Sequence, residues 1–288
     1  MASLKEIKGR IASVNSTLKI TSAMKMVASA KLHRAQAAIE NMLPYERRLD
    51  AMLSGFLAAE GASESPYAAE RETERVAVVA VSSNSSLCGA FNANVAKMFH
   101  ATVARYERLG RDRILVFPVG RKIADAVRKE GFVPQGDFQQ MIERPEYKAA
   151  AELAGRLMKM FADGEVDRVE LVYNHFKSSA SQETVRELYL PVDTKPAAGK
   201  AFATDYIVEP GREEVMRTLI PQVLSLKIYT MLLDSNAAEH AARTVAMQMA
   251  SDNATELLQE LTVQYNKSRQ QAITNELLDM MGAEIANG

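Results

Sequence analysis

The chain has 288 residues, of which 47% are hydrophobic and 25% are charged, and its formal net charge is −1. This composition is sufficient for one large or two ordinary domains with real cores, and the near-zero charge does not indicate nucleic-acid binding. The single cysteine, Cys88, excludes an internal disulfide framework. The N-terminus lacks an apolar signal core, and no stretch approaches the roughly 18 apolar residues of a membrane span. We therefore expect a soluble protein that is cytosolic or attached to a membrane through partners.

A long apolar repeat occupies residues 4–56. Alternating steps of three and four residues generate 16 positions there, and only Thr21, Lys25 and Glu46 are neither apolar nor small. A 3.5-residue repeat of this length is typical of a coiled-coil seam. We therefore predict an N-terminal coiled-coil helix over residues 1–59, kinked or with one broken hydrogen bond at Pro44.

Charge is distributed unevenly between the two ends. Residues 1–35 contain seven basic residues and one acidic residue, whereas residues 234–262 contain five acidic residues and one basic residue. Two interpretations stay open: the segments attract each other as antiparallel helices, or the basic arm meets an acidic partner.

The spacing of apolar residues changes in the middle of the chain. A polar, proline-containing linker is predicted at 60–74, followed by an α/β domain at 75–200. Its β-branched runs predict buried strands, and the intervening segments predict helices. The predicted strands are 75–81, 113–119, 168–176 and 183–192, and the predicted helices are 90–109, 121–130 and 146–161. This alternation predicts a Rossmann-like fold, with helices on both faces of a mostly parallel sheet and an antiparallel final strand.

Helical signals return after a connection at 201–211 and continue over residues 212–288. Pro221 is expected in the first turn of the longest helical piece. Chain direction makes this helix antiparallel to the first, so the predicted fold class is α/β, with a long antiparallel coiled coil beside the central domain. The second helix is the longer one, and its tip is expected to expose apolar side chains that something outside the chain must cover. These are Leu277, Leu278, Met280 and Met281.

The sequence contains no arrangement of residues that is typical of an enzyme active site. The loop at 82–92 follows the first strand but matches neither phosphate-binding glycine pattern. Cys88 has no neighbouring histidine and is interpreted as a packed thiol. The four histidines have no metal-ligand spacing and are expected at surfaces or interfaces. We therefore predict no catalytic residue, no cofactor site and no metal site.

Three segments carry a family resemblance. They are IKGRIASVNSTLKITSAMKMVASAKL at 7–32, LCGAFN at 87–92, and AEHAARTVAMQMASDNATELLQELTVQYNKSRQQAITNEL at 238–277. Together with the order of the parts, they make essentially the whole chain similar to the gamma subunit of F-type ATP synthases of the bacterial type. Within the loop, Asn84, Ser85 and Ser86 stand where that family usually reads D-x-G.

The resemblance implies a central rotor shaft that couples ion-driven rotation of a membrane ring to ATP synthesis or hydrolysis on the beta subunits. The implied partners are a threefold ring of alpha and beta subunits, the epsilon subunit and the membrane c-ring, without nucleic acid. The implied location is peripheral, on the cytoplasmic face of the bacterial inner membrane.

The resemblance also implies which residues contact partners. Met24 corresponds to a position where the family's shaft approaches the acidic lever of the catalytic subunits, and Lys25 with the basic charge around it fits that partner. Glu239 and Arg243 correspond to further ring contacts. Four residues near the C-terminus correspond to positions at the catch loops of beta: Arg269, Gln270, Thr274 and Glu276. Two others correspond to the foot that faces the membrane ring: Tyr206 and Glu209.

Two other classes of function stay open from the residues themselves. A nucleotide-dependent enzyme would use the α/β domain and bind nucleotide as an isolated chain. A freestanding coiled-coil scaffold or nucleic-acid binder would self-associate or bind in a salt-sensitive way.

Overall fold

The computed structural model describes residues 3–58, 65–192 and 211–286. The chain divides into two compact units: a terminal unit of residues 1–28 and 244–288, and a central unit of residues 29–243. The first and last helices each contribute to both units. The five-part division predicted from the sequence stays a prediction.

The elements follow one another in the predicted order. They are α1 (Leu4–Ala58), β1 (Val76–Val81), α2 (Phe91–Ala104), β2 (Ile114–Val119), α3 (Arg121–Lys129), α4 (Gln139–Glu143), α5 (Tyr147–Ala162), β3 (Arg168–Ser178), β4 (Ser181–Leu190) and α6 (Arg212–Ala286). The short helix α4 was not predicted, because five residues are too few to show a helical period. Helix α2 ends before the predicted residue 109, and two short 3₁₀ turns flank Gly110, whose φ of 84° suits glycine.

Both long helices contain a proline. Helix α1 continues through Pro44, and α6 begins at Arg212 and continues through Pro221. The prediction that Pro221 lies in the first turn of the longest helical piece is therefore wrong. A proline removes one helical hydrogen bond, and the burial of Ile220 and Leu224 offsets that loss.

The terminal unit is a pair of antiparallel helical segments. In its α1 segment, Ile7 and Ala28 are buried, and every predicted seam position between them is buried or half-buried. The α6 segment contributes four buried residues: Met247, Ser251, Ala254 and Leu261. The seam predicted from the 3.5-residue repeat is thus confirmed in this unit.

The sheet of the central unit has the strand order β2-β1-β3-β4. Strand β1 pairs in parallel with β2 and with β3, whereas β4 pairs antiparallel with β3. All six residues of β1 are buried, as expected for a central strand covered on both faces. The mostly parallel sheet with an antiparallel last strand is confirmed.

Alternate residues of β1 separate two cores. Ala77, Val79 and Val81 pack in a cluster with α5 and with segments of α1 and α6. Val76, Val78 and Ala80 pack on the other side with α2 and α3. This alternation follows from the two-residue period of a strand. The loop after β1 lies next to α6, where Arg243 donates to Ser85 and Ser86.

Candidate partner-contact sites

Polar pairs interrupt the seam of the terminal unit. Thr21 Oγ1 lies 2.8 Å from Ser251 Oγ in a buried hydrogen bond. Lys25 Nζ donates to Gln248 Oε1 at 2.8 Å, and Gln248 Nε2 donates to Asp252 Oδ1 at 2.7 Å. Lys25 is half-buried and held by a neutral amide, so its charge is positioned without being cancelled by that partner.

Beside this seam, α1 carries an exposed apolar stripe. Ile20, Met24 and Val27 follow one another at i, i+4 and i+7, which places them on one helix face. Ile20 is 60% exposed and Val27 is 58% exposed, while Met24 is half-buried. Large apolar side chains grouped in this way indicate an interaction surface.

The C-terminal segment of α6 combines charged and apolar exposed residues. The four residues that the family resemblance assigns to catch-loop contact are all exposed: Arg269, Gln270, Thr274 and Glu276. The Thr274 hydroxyl donates to the Gln270 carbonyl at 2.9 Å, within the helix itself. The structure therefore leaves these four residues accessible at one end of the terminal unit.

An apolar stripe runs along the same segment. Ile273, Leu277 and Met280 share a helix face at i, i+4 and i+7, and they are 45%, 56% and 70% exposed. Leu278 is also exposed. The predicted exposure of Leu277, Leu278 and Met280 is confirmed, whereas the side chain of Met281 lies outside the described residues.

In the central unit, Glu239 and Arg243 form a buried clamp on the loop after β1. Arg243 donates to Glu239 Oε1 at 2.7 Å, to the Ser86 carbonyl at 2.6 Å and to Ser85 Oγ at 2.9 Å. Glu239 is 7% exposed and Arg243 is 9% exposed. Burial raises the pKa of Glu239, and the Arg243 guanidinium opposes that rise. Contact of these two residues with a partner stays a prediction; their internal role is structural.

In the same loop, the hydrogen bonds of Asn84 account for the asparagine that stands where the family usually has aspartate. Asn84 Oδ1 accepts from the Arg121 backbone N–H at 2.8 Å, while Nδ2 donates to the Gln139 carbonyl at 2.9 Å and to Glu143 Oε1 at 2.8 Å. An aspartate could accept the first bond but could donate neither of the other two, and it would face the carboxylate of Glu143. Asn84 therefore joins the loop to the start of α3 and to α4, a role that the sequence did not reveal.

The thiol of Cys88 is packed, as the sequence indicated. Cys88 is 1% exposed and lies in a cluster with Phe91, Ala238 and Ala242. Asn92 Nδ2 lies 3.2 Å from Cys88 Sγ. Beside it in the loop, Leu87 has a φ of 69° and is 61% exposed, which makes it an outward-facing apolar residue.

The histidines differ in environment. His175 Nδ1 lies 2.6 Å from Asp234 Oδ2, and the Phe176 backbone N–H donates to Asp234 Oδ1 at 2.9 Å. Burial raises the pKa of Asp234, and these two bonds oppose the rise. His240, expected at a surface or interface, is only 8% exposed within the central unit, and burial lowers its pKa to about 4.

Two features that would indicate other functions are absent from the described residues. Over residues 3–58, 65–192 and 211–286, no cluster of three or more His, Cys, Asp or Glu side chains could hold a metal ion. Within that same part of the chain, no helix combines the length and apolarity that crossing a bilayer requires. Tyr206 and Glu209, the predicted foot contacts, lie outside the described residues.

Comparison with known proteins decides the family. The family model described as ATP synthase matches residues 3–286. The gamma chain of ATP synthase from Bacteroides fragilis strain ATCC 25285 is 61% identical over 290 residues, covering 99% of this chain and 100% of the relative. The chain belongs to the ATP synthase gamma-chain family. The Phocaeicola vulgatus gamma chain is 59% identical over 289 residues, again covering 99% and 100%.

Solved structures agree on the fold of this gamma-chain family member. A chain from the Euglena gracilis mitochondrial ATP synthase (OSCP/F1/c-ring, rotational state 3) is 20% identical with a TM-score of 0.66, covering 98% of this chain and 94% of that one. A chain from the central stalk/c-ring of the Tetrahymena thermophila mitochondrial enzyme is 24% identical with a TM-score of 0.60. That match covers 81% of this chain and 99% of that one.

Proposed function

We propose that this chain is the central rotor shaft of an F-type ATP synthase. In this role it couples ion-driven rotation of a membrane ring to ATP synthesis or hydrolysis at the beta subunits, where the chemistry takes place. The observation that carries the proposal is the family match over residues 3–286. A paired helical unit with exposed apolar stripes supports it, because such stripes require partners outside the chain.

The physical mechanism is differential contact. A shaft presents different side chains in different directions, so each catalytic subunit of a threefold ring meets a different surface. A contact shifts the equilibrium of a catalytic site only if it differs in free energy between the states of that site. Turning the shaft then moves the set of unequal contacts from one catalytic subunit to the next.

The exposed residues of the terminal unit supply candidate contacts. Lys25, positioned by Gln248, and the neighbouring Met24 would meet the acidic lever of the catalytic subunits. At the other contact, the residues exposed along the C-terminal segment of α6 would meet the catch loops: Arg269, Gln270, Thr274 and Glu276. The apolar stripe at Ile273, Leu277 and Met280 fits an apolar bearing formed by the alpha and beta subunits.

The remaining partners and the location follow from the same role. The epsilon subunit and the c-ring would bind the foot, which includes Tyr206 and Glu209. Membership of the family places the chain in a membrane-associated complex, and we propose the cytoplasmic face of the bacterial inner membrane. Glu239 and Arg243 would act at the ring by holding the Ser85–Ser86 loop, besides any direct contact.

Co-expression tests this proposal. A tagged chain would be produced with the alpha and beta subunits of its host, and the purified complex would be assayed for Mg-ATP hydrolysis. We expect one copy of this chain per three catalytic subunits and hydrolysis that depends on its presence. Purification of the chain alone, with no activity to confer on alpha and beta, would contradict the shaft.

A further inference from the structure

The central unit contains a cavity that the shaft function does not use. Its volume is about 430 Å³, and it is lined by α1, by β3 and β4, and by the segment of α6 between Lys227 and Asp234. This volume lies within the range of about 300–1,000 Å³ typical of small-molecule sites. The cavity is therefore large enough for an organic ligand.

One part of the wall is apolar. Its side chains come from three different elements of the central unit. They are Ile39, Met42, Phe176, Met231 and Leu233. Such a surface favours a ligand with a hydrophobic body, which would release water from the apolar wall on binding.

The polar part of the wall is predominantly acidic. Four carboxylates line the cavity, against one lysine and one histidine: Glu40, Glu46, Glu187 and Asp234 against Lys227 and His175. Lys227 Nζ lies 2.7 Å from Glu187 Oε1. His175 Nδ1 lies 2.6 Å from Asp234 Oδ2. Each of the two basic side chains thus faces one carboxylate, and the four carboxylates of the wall still outnumber them.

A half-buried tyrosine lies in the same negative field. Tyr173 lines the cavity, and its hydroxyl donates to Glu187 Oε2 at 3.3 Å. Burial raises the pKa of Tyr173, and the charges of Glu187, Asp234 and Glu46 raise it further. Three carboxylates from three elements thus act on one point of the wall.

We propose that this cavity binds an amphipathic organic cation, an ammonium or guanidinium group on a small apolar body. The cation would lie near Glu46 and Glu187, and the apolar body would contact Met42 and Met231. An anion of the same shape would be repelled, and a neutral analogue would lose the electrostatic attraction. The cation is either a free small molecule or a lysine or arginine side chain of a neighbouring subunit, since both present the same chemistry.

Methionine methyl NMR on the full-length chain tests the proposal. Phenethylammonium, 2-phenylethanol and phenylacetate have similar shapes and differ in charge, so they serve as matched probes. We expect saturable shifts of the Met42 and Met231 methyl signals with phenethylammonium, and binding at least tenfold weaker for the other two. No saturable shift at these methyls, or equal binding of all three probes, would overturn the proposal.

A charge-removing variant tests the assigned wall. The double substitution E40Q/E46Q keeps the side-chain shapes, leaves the Lys227–Glu187 pair intact and retains an acceptor for the Thr230 hydroxyl. It should weaken phenethylammonium binding at least fivefold without changing the methyl spectrum of the free chain. The matched control, E107Q, neutralises an exposed carboxylate outside the cavity and should leave binding unchanged. Unchanged binding by E40Q/E46Q would overturn the acidic wall as the recognition element.

The assembled complex distinguishes the two sources of the cation. If the cavity takes a free ligand, phenethylammonium will shift the Met42 and Met231 signals in the complex as well. If a neighbouring subunit supplies the cation, those signals will already be displaced in the complex and the probe will not bind. Signals that match those of the free chain, together with no response to the probe, would contradict both sources. The measurement on the isolated chain does not depend on the rotor function, so the two proposals can fail separately.

Discussion

Thr21 and Ser251 lie 230 positions apart in the chain and share a buried hydrogen bond of 2.8 Å between their hydroxyl oxygens. The Ser251 hydroxyl also lies 2.9 Å from the Met247 carbonyl, and the Thr21 hydroxyl lies 3.1 Å from that of Leu18. Each hydroxyl carries one proton, so one donates across the seam and the other donates to its own helix. The pair sets one register of the antiparallel helices, because a shifted pairing would bury these hydroxyls against apolar groups.

The seam pair should show energetic coupling. We expect T21V and S251A each to lower the free energy of unfolding by about 1 kcal/mol, as is typical for a lost hydrogen bond. The double variant should lose less than the sum, because it leaves neither hydroxyl without its partner. Chemical denaturation of the four proteins measures the coupling. T17V, at an exposed position of the same helix, is the control, and strictly additive losses would contradict the pairing.

Removing the buried clamp should be far more costly than removing a surface pair. R243A leaves the Glu239 carboxylate and the Ser86 carbonyl without this donor, so we expect a loss of about 3–5 kcal/mol in the free energy of unfolding. R128A removes an exposed pair with Asp125 and should cost less than about 1 kcal/mol.

Denaturation of the two arginine variants against the unchanged chain measures this difference. Losses of equal size would show that Arg243 does not stabilise the loop. Because Glu239 and Arg243 are buried, any effect of R243A on ATP hydrolysis must be compared with its effect on stability before a direct ring contact is assigned.

Substitutions of the exposed residues at the end of α6 should lower activity in the complex and leave the stability of the chain almost unchanged. R269A and E276A remove side chains that are exposed in the terminal unit, so they should change the free energy of unfolding by about 0.5 kcal/mol or less. If these residues contact the catch loops, the same variants will lower the ATP hydrolysis of the assembled complex several-fold. Unchanged hydrolysis in both variants would remove these residues from the set of partner contacts.

Acid should destabilise the central unit through His240. Burial lowers its pKa to about 4, and the charges of Lys31 and Arg243 act in the same direction. An unfolded histidine has a pKa near 6.5, so the stabilising contribution is complete above about pH 6.5 and is lost as the pH falls towards 4. The loss should be on the order of 2 kcal/mol.

Melting temperatures of the unchanged chain and H240Q between pH 7.5 and 4.5 test this prediction. The variant should lose less stability over that range, since glutamine does not titrate. H100Q replaces an exposed histidine and should follow the unchanged chain. All three proteins contain Glu239 and Asp234, so the differences isolate the histidine. Parallel curves for H240Q and the unchanged chain would contradict the assignment.

The sequence predicted the seam but not its polar partners. Thr21, Lys25 and Glu46 interrupt the apolar repeat, and the structure pairs each with a polar residue of α6. In the terminal unit these partners are Ser251 and Gln248, and in the central unit the Thr230 hydroxyl donates to Glu46 at 3.1 Å. The apolar pattern of α6 is irregular, so the sequence alone did not define which residues face each other.

Other features depend on contacts between distant segments. The strands of the central unit were predictable because their β-branched runs are short and separated by clear helical periods. The role of Asn84 was not, because its partners at Arg121, Gln139 and Glu143 are joined to it only by the fold. The candidate contact residues came from the family resemblance, and exposure now separates accessible ones such as Arg269 from buried ones such as Arg243.

Direct observation of rotation tests the central claim. The alpha and beta ring would be fixed to a surface, and a bead would be attached to this chain through a cysteine introduced by R108C, at an exposed position of the central unit. On addition of Mg-ATP, the shaft function predicts rotation in one direction, with pauses that repeat three times per turn. Sustained hydrolysis by a complex in which the attached bead does not turn would contradict the assignment of this chain as the rotating shaft.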